Sequence, residues 1–156
     1  MIGHRGRSVQ TVEPGPRWPR FDEEDLPRVL IEHPDPAGQR VLAEAFRERG
    51  YEALTCGGPQ AAGVSVTDCP MLVDGHCPAV DGADVVVSSL HIGRGIEARI
   101  VEGIVADPTA PPVLLEASGW QLQQVDLHGP VEATCFPFLS PTAVVDQVDR
   151  LLAETD

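Results

Sequence analysis

Three of the four cysteines of this 156-residue chain lie within one stretch, at Cys56, Cys69 and Cys77. Their spacing, C-x12-C-x7-C, is not the paired CxxC of a common zinc motif, and Cys135 is far away in the sequence. Thiolates bind zinc and iron–sulfur clusters, two thiols can form a disulfide, and a free thiol often packs as a small apolar group. With His76 beside Cys77, a metal or redox site is one interpretation, and a Cys69–Cys77 disulfide and plain buried thiols are the others.

Two of these cysteines are followed by proline, at Cys69-Pro70 and at Cys77-Pro78. A proline ring removes a backbone donor and holds the preceding residue in an extended conformation. We therefore expect stiff, extended turns in place of a helix around both cysteines. They lie in a loop rich in cysteine, glycine and proline that spans residues 56–83.

A second candidate site is the tripeptide Gly93-Arg94-Gly95, which precedes a predicted helix. A helix N-terminus beside a guanidinium can bind an anion, but a glycine-rich turn would have the same sequence. The G-x-S-x-G elbow of serine hydrolases is absent around Ser88 and Ser89. We therefore predict no catalytic residue and expect that the protein is not an enzyme.

The charge of the chain narrows the possible functions further. All 11 basic residues are arginine, which excludes a Schiff-base lysine and a P-loop lysine. The net charge of −13 belongs to residues 29–156, because residues 1–28 carry as many arginines as acids. An acidic body repels phosphate groups, so direct binding to nucleic acid or to an anionic membrane is not expected.

Five short apolar segments alternate with helical patterns, which indicates a three-layer α-β-α fold with a parallel sheet. The first helix is bounded by Asp35 as N-cap, Pro36 at its first position and Gly50 beyond its end. The predicted strands are 29–31, 51–55, 84–88, 112–116 and 131–135, and the predicted helices are 36–49, 95–106, a short uncertain segment within 118–129, and a last helix from 140.

Residues 1–27 are predicted to form a flexible arm, because they combine several prolines with mixed charges and show no periodicity. Trp18 and Phe21 are the residues that could anchor this arm to the body or to a partner. No apolar segment has the length of a signal peptide core or a membrane span, so a cytoplasmic location is expected. Residues 28–156 are predicted to form one domain.

Within that domain, 28–55, 82–90 and Phe136-Pro137-Phe138 resemble the receiver domain of response regulators. The first segment carries the strand Arg28-Val-Leu-Ile-Glu and the helix sequence Val41-Leu-Ala-Glu-Ala-Phe-Arg-Glu-Arg-Gly. The resemblance extends over roughly residues 28–153. It implies a flavodoxin-like sheet of five parallel strands in the order 2-1-3-4-5.

The same resemblance implies a phosphorylation pocket whose residues this chain has replaced. A working receiver has an acid pair after strand 1, an acceptor aspartate after strand 3, a hydroxyl after strand 4 and a lysine after strand 5. The residues at or near these places are Glu32 and His33, Ser88 or Ser89, Ser118, and Phe136. Histidine is a poor Mg²⁺ ligand, and serine cannot form an acyl phosphate. The chain thus resembles a pseudo-receiver that cannot be phosphorylated on aspartate.

The implied strand order also places the cysteines near one another. Strand 1 would lie between strand 2, which ends before Cys56, and strand 3, which follows the Cys69–Cys77 segment. The three thiols, His76 and His33 would then share the carboxyl edge of the sheet, where open α/β folds bind ligands. Three thiolates and one imidazole would suit tetrahedral zinc, so zinc and an iron–sulfur cluster are the candidate cofactors.

The resemblance implies a regulatory domain that acts through contacts with another protein or with a second copy of itself. The face formed by the fourth strand, the following helix and the fifth strand is the expected contact surface, with Trp120 as a candidate anchor. Glu116, at the mouth of the fourth strand, needs a partner if buried, and Arg94 is a candidate. A metal or thiol-redox sensor and a small-ligand-binding domain using Gly93–Gly95 are the alternatives.

Overall fold

A computed structural model of the chain describes residues 20–22, 25–58, 69–92, 95–123, 131–134 and 140–155. In this part of the chain, parallel strands form one five-stranded sheet in the order β2-β1-β3-β4-β5. The strands are β1 Arg28–Glu32, β2 Glu52–Cys56, β3 Val85–Ser88, β4 Val113–Glu116 and β5 Val131–Thr134. The predicted fold class and strand order are confirmed.

Helices cover both faces of the sheet. Their bounds are α1 Pro36–Glu48, α2 Pro70–Val73, α3 Pro78–Gly82, α4 Gly95–Ala106, α5 Gly119–Gln123 and α6 Pro141–Thr155. One apolar core joins the sheet to α1 and α6, and a second joins it to α2, α3 and α4. Among the described residues, no helix has the length and apolar character needed to cross a membrane.

The two cores follow from the alternation of side chains along each strand. The row Leu30, Val86 and Val113 crosses three strands in register and packs against α2, α3 and α4. The next row, Ile31 and its neighbours on β3 and β4, packs against α1 and α6. Consecutive residues at the end of a strand therefore enter different layers of the molecule.

The first β-α-β unit forms as its sequence signals predict. The Asp35 carboxylate accepts hydrogen bonds from the backbone N–H groups of Ala37 and Gly38, at 3.4 and 3.1 Å. Pro36 occupies the first turn, and Gly50 takes φ 93° just past the helix end. Asparagine and glycine tolerate that left-handed conformation better than other residues, so the glycine ends α1 and turns the chain toward β2.

The prediction of turns without helix around the Cys-Pro steps was wrong. Cys69 and Cys77 are the N-cap residues of α2 and α3, and each following proline occupies the first turn. Both cysteines are extended, with φ/ψ of −72°/116° and −132°/126°. A proline restricts only the residue before it and is itself well suited to begin a helix, so each step starts a short one.

The end of the N-terminal segment contacts the body of the domain. The Phe21 ring lies over Gly82, where an added Cβ would come within 3.2 Å of the Phe21 Cδ2 atom. The backbone N–H of Asp22 donates to the Glu52 carboxylate at 2.6 Å. Phe21 therefore packs on the α3 side of the domain, whereas Trp18 lies outside the described residues. The division at residue 27 stays a prediction.

Candidate functional site

A crevice of about 380 Å³ opens at the carboxyl edge of the sheet, which we call the edge crevice. It lies between the ends of β1 and β4 and the first turns of α1 and α6. Its lining residues are His33, Asp35, Ala37, Gly38, Val41, Leu42, Glu116, Pro141 and Val144. Its volume falls within the ~300–1,000 Å³ that small-molecule sites occupy.

His33 is held on one side of the edge crevice by its neighbours in α1. Its Nδ1 accepts a hydrogen bond from the Asp35 backbone N–H at 3.0 Å, and its carbonyl accepts one from Gln39 Nε2 at 2.7 Å. The imidazole lies against Gly38, where an added Cβ would sit 2.3 Å from His33 Cε1. The glycine is therefore required for this position of the ring.

Two carboxylates also line the edge crevice: that of Asp35, which caps α1, and that of Glu116, at the end of β4. The Ser89 hydroxyl donates a hydrogen bond to Glu116 Oε2 at 2.7 Å, and the Ser89 N–H donates to the Glu32 carbonyl at 2.8 Å. Ser89 is thus the partner found for Glu116, whereas Arg94 lies outside the described residues. Glu116 is not among the residues predicted for the pocket, although its position at the end of a central strand is a signal in the sequence.

The sequence predicts that Glu32 and His33 share one pocket, but Glu32 does not line the edge crevice. Because side chains alternate along β1, Glu32 enters the layer of α2, α3 and α4, in register between Cys56 on β2 and Ser88 on β3. Its side chain is 4% exposed, and among the described residues neither its Oε1 nor the Ser88 Oγ has a hydrogen-bond partner. Burial raises the pKa of Glu32 to about 7, and the nearby Ser88 hydroxyl offsets part of the rise without reaching hydrogen-bond geometry.

Glu32 and three thiols line one small cavity of about 30 Å³, which we call the cysteine cavity. Burial raises the pKa of the Cys56 thiol to about 11 and also raises that of Cys77. Thiols in such surroundings are protonated near neutral pH and react slowly. The lining residues are Leu30, Glu32, Cys56, Gly58, Cys69, Pro70, Met71, Cys77, Ala79, Val80 and Ile100.

The predicted grouping of thiols with histidines is not found. His76 is exposed, and His33 lies on the opposite side of the sheet. Across the ranges that the structure describes, no three His, Cys, Asp or Glu side chains are placed to hold a metal ion. Cys56, Cys69 and Cys77 are free thiols there. Because side chains alternate between the two faces of the sheet, His33 lies on the face opposite the cysteines. His76 lies in the exposed turn between α2 and α3, away from the cavity that the thiols line.

The remaining candidate residues have separate places in the fold. Ser118 caps α5, where its hydroxyl accepts from the Gln121 N–H at 3.2 Å and its own N–H donates to Gln121 Oε1 at 2.9 Å. Trp120, in the first turn of α5, is 59% exposed. Gly95 begins α4, but Gly93, Arg94 and Phe136 lie outside the described residues.

No family model and no curated protein matches this sequence. Solved structures do match, among them chemotaxis protein CheY4 of Vibrio cholerae, at 14% identity and a TM-score of 0.54 over 81% of this chain and 98% of that one. The receiver domain of a histidine kinase from Syntrophus aciditrophicus matches at 15% identity and a TM-score of 0.57, over 82% and 91%. The chain has the fold of a response-regulator receiver domain.

A third structure with the receiver fold is that of HP1043, an orphan response regulator of H. pylori. It matches at 16% identity and a TM-score of 0.52, over 86% of this chain and 99% of that chain. These receiver-fold proteins are covered almost completely, so the likeness is to a whole receiver domain. At such low identities it concerns the fold, and the chemistry of the edge crevice has to be considered on its own.

Proposed function

We propose that this chain is a regulatory domain of receiver fold that acts through contacts with another protein and is not switched by aspartyl phosphorylation. The edge crevice is the observation that carries the proposal. Its polar side chains are His33, Asp35 and Glu116; the Asp35 carboxylate caps α1, and Glu116 accepts a hydrogen bond from the Ser89 hydroxyl. A receiver that is phosphorylated needs an acceptor aspartate at the end of β3, where this chain has serines.

Three groups that aspartyl phosphorylation needs are missing: the acceptor carboxylate after β3, the acid pair that holds Mg²⁺, and the lysine after β5. A serine hydroxyl cannot form an acyl phosphate, and that of Ser89 is engaged with Glu116. Glu32, the acid at the end of β1, lines the cysteine cavity. The residue after it, His33, lines the edge crevice in place of an acid. Mg²⁺ prefers oxygen ligands, and the chain contains no lysine to offset the charge of a phosphoryl group.

The contact with a protein is supported by the exposed indole of Trp120. Ser118 and Gln121 cap the short helix α5 and fix the turn that carries it. Tryptophan is among the residues that most often dominate binding energy at protein interfaces. We take the partner to be a protein that receives the indole in an apolar pocket.

The absence of phosphorylation is tested by incubating the purified protein with acetyl phosphate and Mg²⁺ and measuring its intact mass. A phosphorylatable receiver domain in the same reaction serves as the positive control. We expect the control to gain a phosphate and this protein to keep its mass. A phosphate on any aspartate, or on Glu116, would contradict the proposal.

The contact surface is tested by placing a photoreactive amino acid at position 120 in cells that express the full chain. Val73, in α2, provides a matched control because its side chain is 57% exposed and also apolar. We expect a covalent protein adduct from position 120 and none from position 73. A covalent dimer from position 120 would identify a second copy as the partner, and equal labelling at both positions would rule out a specific surface there.

A further inference from the structure

We propose that Cys69 and Cys77 form a reversible disulfide across the cysteine cavity when the protein meets a peroxide. The cavity would then be an oxidation site on the opposite side of the sheet from the edge crevice. The inference does not depend on the proposed partner contact, and the two can fail separately.

The placement of the two cysteines is the first argument. Both are N-cap residues of consecutive short helices, and both line the same cavity. Neither side chain makes a capping hydrogen bond. The backbone N–H groups of Ala79 and Val80 lie close enough to the Cys77 sulfur to lower the pKa of its thiol in part, without reaching hydrogen-bond geometry. The cavity of about 30 Å³ exceeds the ~10–15 Å³ that one water needs, which leaves the sulfur atoms room to rotate toward each other.

Cys56 lines the same cavity but is less free to react. It ends β2, in register with Glu32, and its Sγ accepts a hydrogen bond from the Gly58 N–H at 3.5 Å. The strand register fixes its backbone on one side and the bond to Gly58 holds the sulfur on the other. We therefore assign the disulfide to the two cysteines that begin helices.

The second argument is Glu32, which is buried and lines the cavity, and whose Oε1 has no hydrogen-bond partner among the described residues. A buried polar atom without a partner is costly, so its retention calls for a role. Disulfide formation releases protons from thiols, and Glu32 is an acceptor inside the cavity. The raised pKa, about 7, lets this carboxyl gain and lose a proton near neutral pH.

The reaction balances with a peroxide as the oxidant. One thiol attacks a peroxide oxygen, the O–O bond breaks, and a sulfenic acid and water form when the oxidant is hydrogen peroxide. The second thiol attacks the sulfenic sulfur, the S–S bond forms and a second water leaves. Two thiols and one peroxide thus give one disulfide and two waters, and Glu32 relays the thiol proton. Because burial raises the pKa of Cys77, the reaction is expected to be slow.

The test uses the full chain, reduced and then treated with hydrogen peroxide in a chelating buffer. Trypsin would leave all three cysteines on one peptide, because no lysine or arginine lies between Arg49 and Arg94. Cleavage before Asp68, Asp74 and Asp81 separates them. We expect the intact mass to fall by two hydrogen atoms, a crosslink between the peptides of Cys69 and Cys77, and full reversal by dithiothreitol.

Four alkylated thiols after peroxide treatment would overturn the proposal, as would a crosslink that includes Cys56 or Cys135. Substitution of Cys69→Ala or Cys77→Ala should abolish the mass change, while Cys56→Ala and Cys135→Ala should keep it. The mapping of the unmodified protein decides the pairing even if a variant fails to fold.

A separate measurement tests Glu32 as the proton acceptor. In the unmodified protein the oxidation rate should rise as the carboxyl ionises and then level off above about pH 7. In Glu32→Gln the rate should follow the thiolate fraction alone and keep rising through this range. A purely structural role for Glu32 would change the rate equally at every pH. Equal pH profiles in the two proteins would therefore remove Glu32 from the proposal.

Discussion

Glu32 is held in a place where its charge is unfavourable. The folded protein raises the pKa of this carboxyl from 4.5 to about 7, mainly because burial disfavours the ionised form. The folded state therefore holds a proton that the unfolded chain releases between about pH 4.5 and pH 7. By linkage, the folded state loses stability as pH rises through this window, and the full penalty remains above it.

Replacing the carboxyl with an amide should remove this pH dependence. We expect Glu32→Gln to be more stable than the unmodified protein at about pH 8, by about 3 kcal/mol, and close to it at about pH 4. Urea unfolding at both pH values gives the two free energies. Glu44→Gln, on the exposed side of α1, is the matched control and should leave the pH profile unchanged. A Glu32→Gln profile parallel to that of the unmodified protein would refute the argument.

At the scale of elements, local signals in the sequence determine where α1 begins. The lack of a side chain at Gly38 lets the helix pack against the His33 ring beside the edge crevice. Asp35 caps the helix, and Gly38 leaves room for the His33 ring. Glycine inside a helix costs roughly 0.5–1 kcal/mol relative to alanine, so the chain gives up some helix stability at this position. The glycine is kept at this helical position because a side chain there would displace the His33 ring.

Two glycine-to-alanine changes separate these effects. Gly103→Ala, in α4, should stabilise the protein by roughly 0.5–1 kcal/mol, because its added Cβ would meet Met71 Sδ at an ordinary 3.4 Å. Gly38→Ala should give no such gain and should displace the His33 imidazole, breaking its bond from the Asp35 N–H. Urea unfolding measures the stabilities, and the ring signals of His33 in NMR spectra report the displacement. Unchanged ring signals in Gly38→Ala would contradict the structure of the crevice.

The elements also differ in how far their sequences determine them. Asp35, Pro36 and Gly50 are signals that act within a few residues, and they predicted α1 correctly. The two Cys-Pro helices are too short to show a helical period, so their sequences alone predict turns. The face taken by Glu32 depends on the register of β1 with β2 and β3, which is set by contacts distant in sequence.

The whole molecule carries a net charge of −13, spread over a body that still folds into two closed cores. Like charges repel more in the compact state than in the expanded unfolded chain, so this charge lowers stability at low ionic strength. Local ion pairs relieve part of the repulsion. Arg49 bonds to Asp146 at 2.9 Å and to Asp149, and the Tyr51 hydroxyl donates to Asp149 at 2.5 Å, which joins α1 to α6.

Screening should therefore stabilise the protein. We expect the free energy of unfolding in urea to increase by on the order of 1 kcal/mol between very low salt and about 0.1 M sodium chloride, where the Debye length is ~10 Å. Asp146→Asn removes an acid that pairs with Arg49, whereas Asp25→Asn removes an exposed one, so the two variants separate local pairing from net charge. A stability that falls with salt would show that ion pairs outweigh the repulsion.

The end of β1 and the residue after it line two separate cavities. Glu32 and His33 are joined by a single peptide unit, and one faces the cysteine cavity while the other faces the edge crevice. A shift of this strand end along its own axis moves Glu32 and His33 by the same distance, and so changes the cysteine cavity and the edge crevice together. A mutation that alters the dimensions of one cavity must therefore be compatible with the other, and we expect amino-acid changes at positions 32 and 33 to be correlated among homologous sequences.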